Sequence, residues 1–213
     1  MSDDGADLFE ASLMLLAGTP RLQRPGDGRD RDVWAVVGDC AGGLRAEFET
    51  APAAARFADV MRAVPGARCW VRRQVAGIRR RYETYIVEVD GAEPAVVVAR
   101  LSGEWTCNVG LLLGNGAAQG TAQGTAQGTG QEAAQEAAQR RRAAAVWRAA
   151  LLTAAPKVSQ TGLRLRSRDR SSVRLLLRAA QVLGVTCHAR TGSGSQIVHA
   201  EGRGMIALLS TIL

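Results

Sequence analysis

One order of elements, met twice along the chain, constrains this protein more than any single motif. The first pass begins with an expected helix over residues 7–18, DLFEASLMLLAG, with apolar residues at 8, 9, 13, 14, 16 and 17 and Gly18 as a stop. A polar loop over 19–32 follows, then VWAVVG (33–38), which has strand composition. DCAGG reads as a hairpin turn into LRAEFET (44–50), where Leu44, Ala46 and Phe48 alternate with Arg45, Glu47 and Glu49. A helix is expected over 51–64, with its stripe at Ala54, Phe57, Ala58, Met61 and Val64 and its end at Pro65-Gly66. Strands are expected over 67–75 and 80–89. The stretch 94–101, PAVVVARL, is ambiguous, since its three valines favour strand.

The second pass repeats this order: a helix over about 137–155, a weak or short strand at 157–160, and an alternating strand GLRLRSR at 162–168. Then come a helix over 170–183 with the stripe Val173, Leu176, Leu177, Ala180 and Leu183, stopped by Gly184, strands at 185–190 and 195–200 around a Gly/Ser turn, and a helix over 202–212. Helix, strand, strand, helix, strand, strand, helix, occurring twice, implies two α+β halves packed as a pseudo-dimer. Between them, residues 114–139 are of low complexity, with AQGT three times in a row from Ala118 to Thr129. The Gly/Thr part buries too little apolar surface to offset its ordering entropy. The expected division is a first half over 1–113, a flexible linker over 114–139 and a second half over 140–213, with AAQEAAQRRR able to extend the following helix backwards.

Only 4% of the 213 residues are aromatic, so Ala, Leu and Val must fill most of the core. The net charge is +7, and it is unevenly placed: residues 1–66 carry seven Arg/Lys against eleven Asp/Glu, and residues 67–213 carry twenty against nine. Lys157 is the sole lysine. Guanidinium groups offer planar donor forks suited to phosphate, which points to a polyanionic partner, nucleic acid first. A proteome that favours arginine explains the same composition.

Cysteines stand at 40, 69, 107 and 187, with no CxxC, and the two histidines, His188 and His199, make no zinc-ligand spacing. The cysteines are expected to be reduced and mostly buried. The acidic start MSDDGADL is unlike a signal peptide, and no apolar run approaches the roughly 18 residues of a membrane span. A cytoplasmic protein without a membrane partner is expected.

The stretches LRAEFET–APAAARFADVMRAVPGARCWV, GIRRRYETYIVEVDG, AAAVWRAALLTAAP, RSSVRLLLRAAQVLGVTCHAR and GRGMIALLS resemble the N-terminal region of the WhiA sporulation regulators, over most of residues 7–110 and 143–213. That region is similar to a LAGLIDADG homing endonuclease. The resemblance implies a LAGLIDADG-like pseudo-dimer with two antiparallel sheets, in which LMLLAG and AALLTAA are the paired signature helices, and it implies a helix over 94–101. Full WhiA proteins continue into a helix-turn-helix domain, which this chain, ending at Leu213, is expected to lack. The implied role is transcriptional control of sporulation or cell division.

Homing endonucleases of this kind cleave with a carboxylate at the foot of each signature helix, where the acids hold divalent metal ions. Here the helices are followed by Thr19-Pro20 and by Ala154-Ala155-Pro156, and the nearest downstream acids are Asp27 and Asp169. A hydroxyl or a methyl does not hold Mg²⁺ at neutral pH. No catalytic residue, metal or cofactor is therefore expected. Cys187 and His188 are strand neighbours that point to opposite faces and cannot act as a nucleophile–base pair. GSGS at 192–195 reads as a hairpin turn rather than a phosphate cradle. Period-two rows supply the candidate contacts to double-stranded DNA, largely through phosphates: Arg68 and Arg72 beside Trp70 and Gln74, the cluster Arg79, Arg80 and Arg81, the row Arg164, Arg166 and Arg168, and Arg190 beside His188. A solvated antiparallel face satisfies the same pattern. The alternatives are a protein-interaction module or truncated paralogue that docks a regulatory protein without touching DNA, and a nuclease using acids that the sequence does not place.

Overall fold

The computed structural model describes residues 4–18, 44–76, 82–91, 94–113, 128–154, 156–159, 162–167, 169–192 and 195–212. The expected strand at 33–38 and its hairpin turn lie outside these residues. The chain divides into two compact units, Met1–Trp105 and Thr106–Leu213.

In the first unit, α1 (Asp4–Gly18) precedes β1 (Leu44–Phe48), α2 (Ala51–Arg62), β2 (Arg68–Ala76) and β3 (Tyr82–Asp90), and α3 (Pro94–Leu113) begins there. The strands form one antiparallel sheet in the order β1-β3-β2. Its alternation is the one the sequence carries: Leu44, Ala46 and Phe48 are buried, and the facing β3 positions Val87 and Val89 are buried with them. Thr50 caps α2 by accepting from Ala53 N, with Pro52 in the first turn where its missing N–H costs nothing. Phe48 and Phe57 meet as a tilted pair, 5.2 Å between ring centroids, locking α2 onto the sheet. Helix α1 is tied to α3 by Ser12, whose hydroxyl lies 2.9 Å from Leu101 O and 2.7 Å from Leu8 O.

Helix α3 settles the ambiguous valines. It is helical over 94–101 and runs on for twelve more residues to Leu113. Its segment Val96–Leu113 is long and apolar enough to cross a membrane by length and composition alone, unlike the expectation from apolar runs. Arg100 and Glu104 interrupt that run, and Leu101 and Leu112 are fully buried within the protein. The valines do not form a strand because tertiary burial of Val97, Val98 and Leu101 outweighs an intrinsic preference of at most about 1 kcal/mol.

The second unit contains the last turns of α3, then α4 (Gly128–Thr153), β4 (Lys157–Ser159), β5 (Gly162–Ser167), α5 (Arg170–Val182), β6 (Cys187–Gly192), β7 (Ser195–Glu201) and α6 (Gly202–Ile212). The linker expected over 114–139 is corrected at its far end: residues 128–139 are the opening turns of α4, as the Ala, Glu and Gln content favours. Residues 114–127 lie outside the described residues. Arg142 Nε donates to the buried Asn108 Oδ1, and Arg178 Nε donates to Leu112 O at 2.9 Å, so the end of α3 is held by both α4 and α5.

Helix α5 has sharp ends with local causes. Asp169 caps it, accepting from Ser171 N at 3.1 Å and Ser172 N at 2.7 Å. At the other end Gly184 takes φ +73°, Gly184 N donates to Gln181 O, and Val185 N donates to Ala180 O, the paired bonds of a Schellman stop. Its buried face comprises Val173, Leu175, Leu176, Ala179 and Ala180, broader than the expected stripe and shifted off Leu177 and Leu183, because α5 packs on the sheet and on α4 at once.

The sheet has the order β4-β5-β7-β6, all antiparallel. Leu163, Leu165, Val198 and Ala200 face the helices and are buried. Gly162 permits the close approach of β5 to β7: a Cβ there would stand 2.5 Å from Ala200 O, which is backbone and cannot swing aside. Gly162→Ala is expected to destabilise the protein by about 1–3 kcal/mol in chemical denaturation. Gly192→Ala is the control, since its Cβ would meet Ser195 O at an ordinary 3.5 Å and the change should stay within about 0.5 kcal/mol.

Candidate nucleic-acid interface

Strand parity sends every second residue of the second sheet away from its helices, and the register lines these residues up across the strands. Lys157 pairs with Arg164, Arg164 with His199, and His199 with His188, so one row of basic side chains crosses all four strands. At about 4.8 Å between strands the row spans roughly 14 Å. The next row along carries Arg166, Ile197 and Arg190. Lys157, Arg164, Arg166 and Arg190 are all exposed. The acid among the described residues of this face is Glu201, opposite the side-chain-less Gly162. Two of the arginines are positioned by uncharged partners: Arg164 Nε donates to His199 Nε2 at 3.1 Å, and Arg166 Nε donates to Ser195 Oγ at 2.9 Å. Neither contact neutralises the guanidinium.

The same parity applied to the first sheet gives a different surface. Arg45, Arg68 and Arg72 share its outer face with Glu47, Glu88 and Asp90. Arg45 pairs with Glu47 at 3.0 Å, Arg72 pairs with Glu88 at 2.9 Å, and Asp90 stands opposite Arg68 in the register. Arg73, on the opposite face, pairs with Glu83 and holds that carboxyl below the usual carboxylate range, with Tyr85 OH donating to the same group. The first sheet's face is thus charge-balanced, with Trp70 and Tyr82 each at least half exposed on it.

Of the arginines singled out in the sequence, Arg164, Arg166 and Arg190 are brought together on one face. Arg68 and Arg72 also share a face, but with acids beside them. Arg79, Arg80, Arg81 and Arg168 lie outside the described residues, as do Thr19, Pro20, Asp27 and Ala155. Asp169 has a local task as the cap of α5. Cys187 faces the helix side, away from His188, and burial pushes its thiol up to about 11; burial raises that of Cys69 as well. A thiol so raised is a poor nucleophile at neutral pH.

Sequence reasoning missed Lys157, which stood alone in a weak strand, and it missed the convergence of His188, His199 and Glu201. His199 Nδ1 lies 2.9 Å from Glu201 Oε1, His188 Nε2 lies 3.8 Å from the same oxygen, and the two imidazoles meet edge to face at 5.2 Å. The usable signal was the Gly/Ser turn: counting outward from the pair Gly192–Ser195 puts His188 opposite His199.

No protein-family model matches the chain, and no curated protein matches it. Solved structures do. Mesophilic variants of the homing endonuclease I-DmoI are similar over 99% of this chain and 97% of theirs, at 12% identity and a TM-score of 0.52. I-DmoI in complex with DNA and Mn is similar over 98% of this chain and 97% of its own, at 10% identity and a TM-score of 0.52. The N-terminal LAGLIDADG domain of DUF199/WhiA is similar over 99% of this chain and 90% of its own, at 10% identity and a TM-score of 0.48. At such identities the likeness to I-DmoI speaks to fold alone, and the fold is LAGLIDADG-like: mixed α+β, with an antiparallel sheet in each unit.

Proposed function

We propose that this chain is a non-enzymatic, WhiA-like regulator that binds double-stranded DNA through phosphates, with a role in transcriptional control of sporulation or cell division in the cytoplasm, at the nucleoid. The observation that carries DNA binding is the outer face of the second sheet, where Lys157, Arg164, Arg166 and Arg190 stand exposed against the single acid Glu201 among the described residues. Cationic rows on rigid strands hold phosphates at little conformational cost and give affinity that falls steeply with salt. The I-DmoI complex with DNA and Mn supplies a precedent for DNA binding by this fold. The absence of cleavage rests on Thr19 and Ala155 following the two small-residue helices, where metal-binding acids would be needed. The WhiA assignment rests on the resemblance of the quoted stretches.

Fluorescence anisotropy with a labelled duplex of about 20 base pairs tests the reading. Binding at 50 mM salt is expected, with log K falling linearly against log salt at a slope near −0.9 per phosphate contacted. No binding at 50 mM salt would sink it. Supercoiled plasmid with Mg²⁺ or Mn²⁺ is expected to stay intact, and nicking would overturn the non-enzymatic part. A second reading, a protein-docking module, draws on the exposed Trp70 and Tyr82 of the charge-balanced first face, since aromatic residues are enriched where proteins meet.

A further inference from the structure

We infer that His188, His199 and Glu201 form a binding site for a divalent transition metal, Zn²⁺ by preference, on the outer face of the second sheet. The three residues come from two adjacent strands. His188 on β6 stands opposite His199 on β7, and Glu201 lies two residues further along β7, on the same face. Their ligand atoms all lie within 4.8 Å of one another. Zinc held at about 2.0–2.1 Å by tetrahedral ligands separates those ligands by about 3.3 Å. The distances of 2.9 and 3.8 Å from Glu201 Oε1 to the two rings bracket that value, so small side-chain rotations close the site. Two imidazoles and a carboxylate are a borderline donor set that suits zinc, copper and nickel, with a tetrahedral arrangement favouring zinc, and that poorly suits magnesium. Three protein ligands leave a fourth position for water.

A second observation points into the same cluster. His188 Nε2 is buried as an atom and has no hydrogen-bond partner among the described residues. The oxygen it faces, at 3.8 Å, is beyond hydrogen-bond reach. A buried polar nitrogen without a partner carries a cost that a bound cation removes. His199 is the better buried ring, with 13% of its side chain exposed, and a strand backbone holds it rigidly.

The site has a built-in competitor. Arg164 Nε donates to His199 Nε2, which fixes that nitrogen as an acceptor and leaves the proton on Nδ1, facing Glu201. A metal on Nδ1 moves the ring proton to Nε2, which then no longer accepts from Arg164. A metal on Nε2 displaces the guanidinium directly. Either way metal binding detaches Arg164 from His199 and leaves the ring neutral with its one proton retained.

The chain has two histidines, so its imidazole signals are unambiguous. Titrating Zn²⁺ alone into the full chain, followed by NMR of the imidazole ring signals, is expected to perturb both rings together and to saturate at one equivalent. Unmoved rings at one equivalent would overturn the site. By calorimetry, His188→Gln and His199→Gln are each expected to weaken Zn²⁺ binding at least about 100-fold, since even partners outside the ligand set cost 10–100-fold. Both variants keep all four cysteines, so binding that persists at wild-type strength in them belongs to thiolates and sinks the proposal. Arg164→Gln is expected to bind Zn²⁺ more tightly than the native chain, and weaker binding would refute the competition. None of these readouts depends on DNA binding.

Discussion

Replacing Arg164, Arg166 and Arg190 together by Gln is expected to lower duplex-DNA affinity roughly three-thousandfold at 50 mM salt. The size follows from counterion release. Each phosphate neutralised contributes about 0.9 to the slope of log K against log salt, and the contribution vanishes near 1 M. Three lost contacts at 50 mM salt therefore remove about 3.5 decades, and the slope should flatten by about 2.7. Anisotropy titrations at several salt concentrations measure both quantities. The matched control is Arg68→Gln with Arg72→Gln. Those arginines share their face with Glu88, paired to Arg72 at 2.9 Å, and with Asp90, so their charge is already offset. That pair should cost less than about tenfold, most of it through the long-range field. Equal losses for the two sets would mean that the basic rows of the second sheet hold no privileged place.

The second large effect concerns stability. Arg56 of α2 donates from Nε to Glu10 Oε1 at 2.9 Å, and from its terminal nitrogen to Glu10 Oε2 at 3.0 Å and Asp7 Oδ1 at 2.6 Å. Glu10, on α1, is fully buried. Hydrogen bonding to Glu10 outweighs the opposing effect of burial and holds the Arg56 pKa above its ordinary value. Truncation to Ala strips a buried carboxylate of its bidentate counter-ion, a class of change that costs about 3–5 kcal/mol in a closed interior. Arg56 keeps 34% of its side chain exposed, so water screens part of that loss and about 2–3 kcal/mol is expected. Urea denaturation should show it. Adding Glu10→Gln to Arg56→Ala should restore part of the stability, because a neutral amide is cheaper to bury than a carboxylate that has lost its guanidinium. A double variant less stable than Arg56→Ala would argue against the charge as the source.

The elements best read from sequence are those whose limits are set by local chemistry. Helix α5 was expected over 170–183 and spans Arg170–Val182, because an Asp cap and a Gly stop act within one turn of the chain. The strand LRAEFET announced its buried face through simple alternation, and Leu44, Ala46 and Phe48 occupy it. Helix α3 was harder to read. Ser102-Gly103 resembles a break, yet a Cβ at Gly103 would meet nothing within 4 Å, so the glycine marks no special contact and the helix passes through it to Leu113. Charge was legible in part. Parity put Arg164 and Arg166 on one face, but parity within a strand says nothing about its neighbours. The offsetting of Arg72 by Glu88, sixteen residues on, and the meeting of His188 with Glu201 both depend on register between strands.

Helix α4 joins two materials end to end. From Ala143 to Ala149 it is mostly buried, with Trp147 almost wholly enclosed. Over 131–137 every residue is exposed, and among the described contacts the opening turns have the surface pair Glu136–Arg140. A helical turn that buries nothing is held by propensity and by such surface pairs, at close to zero free energy per residue. Adding or removing a turn there leaves the core contacts as they are. The AQGT repeats run directly into this solvent-exposed stretch of helix. The length of this tract is thus free of packing constraint, while Ala143 to Ala149 is held by what it packs against.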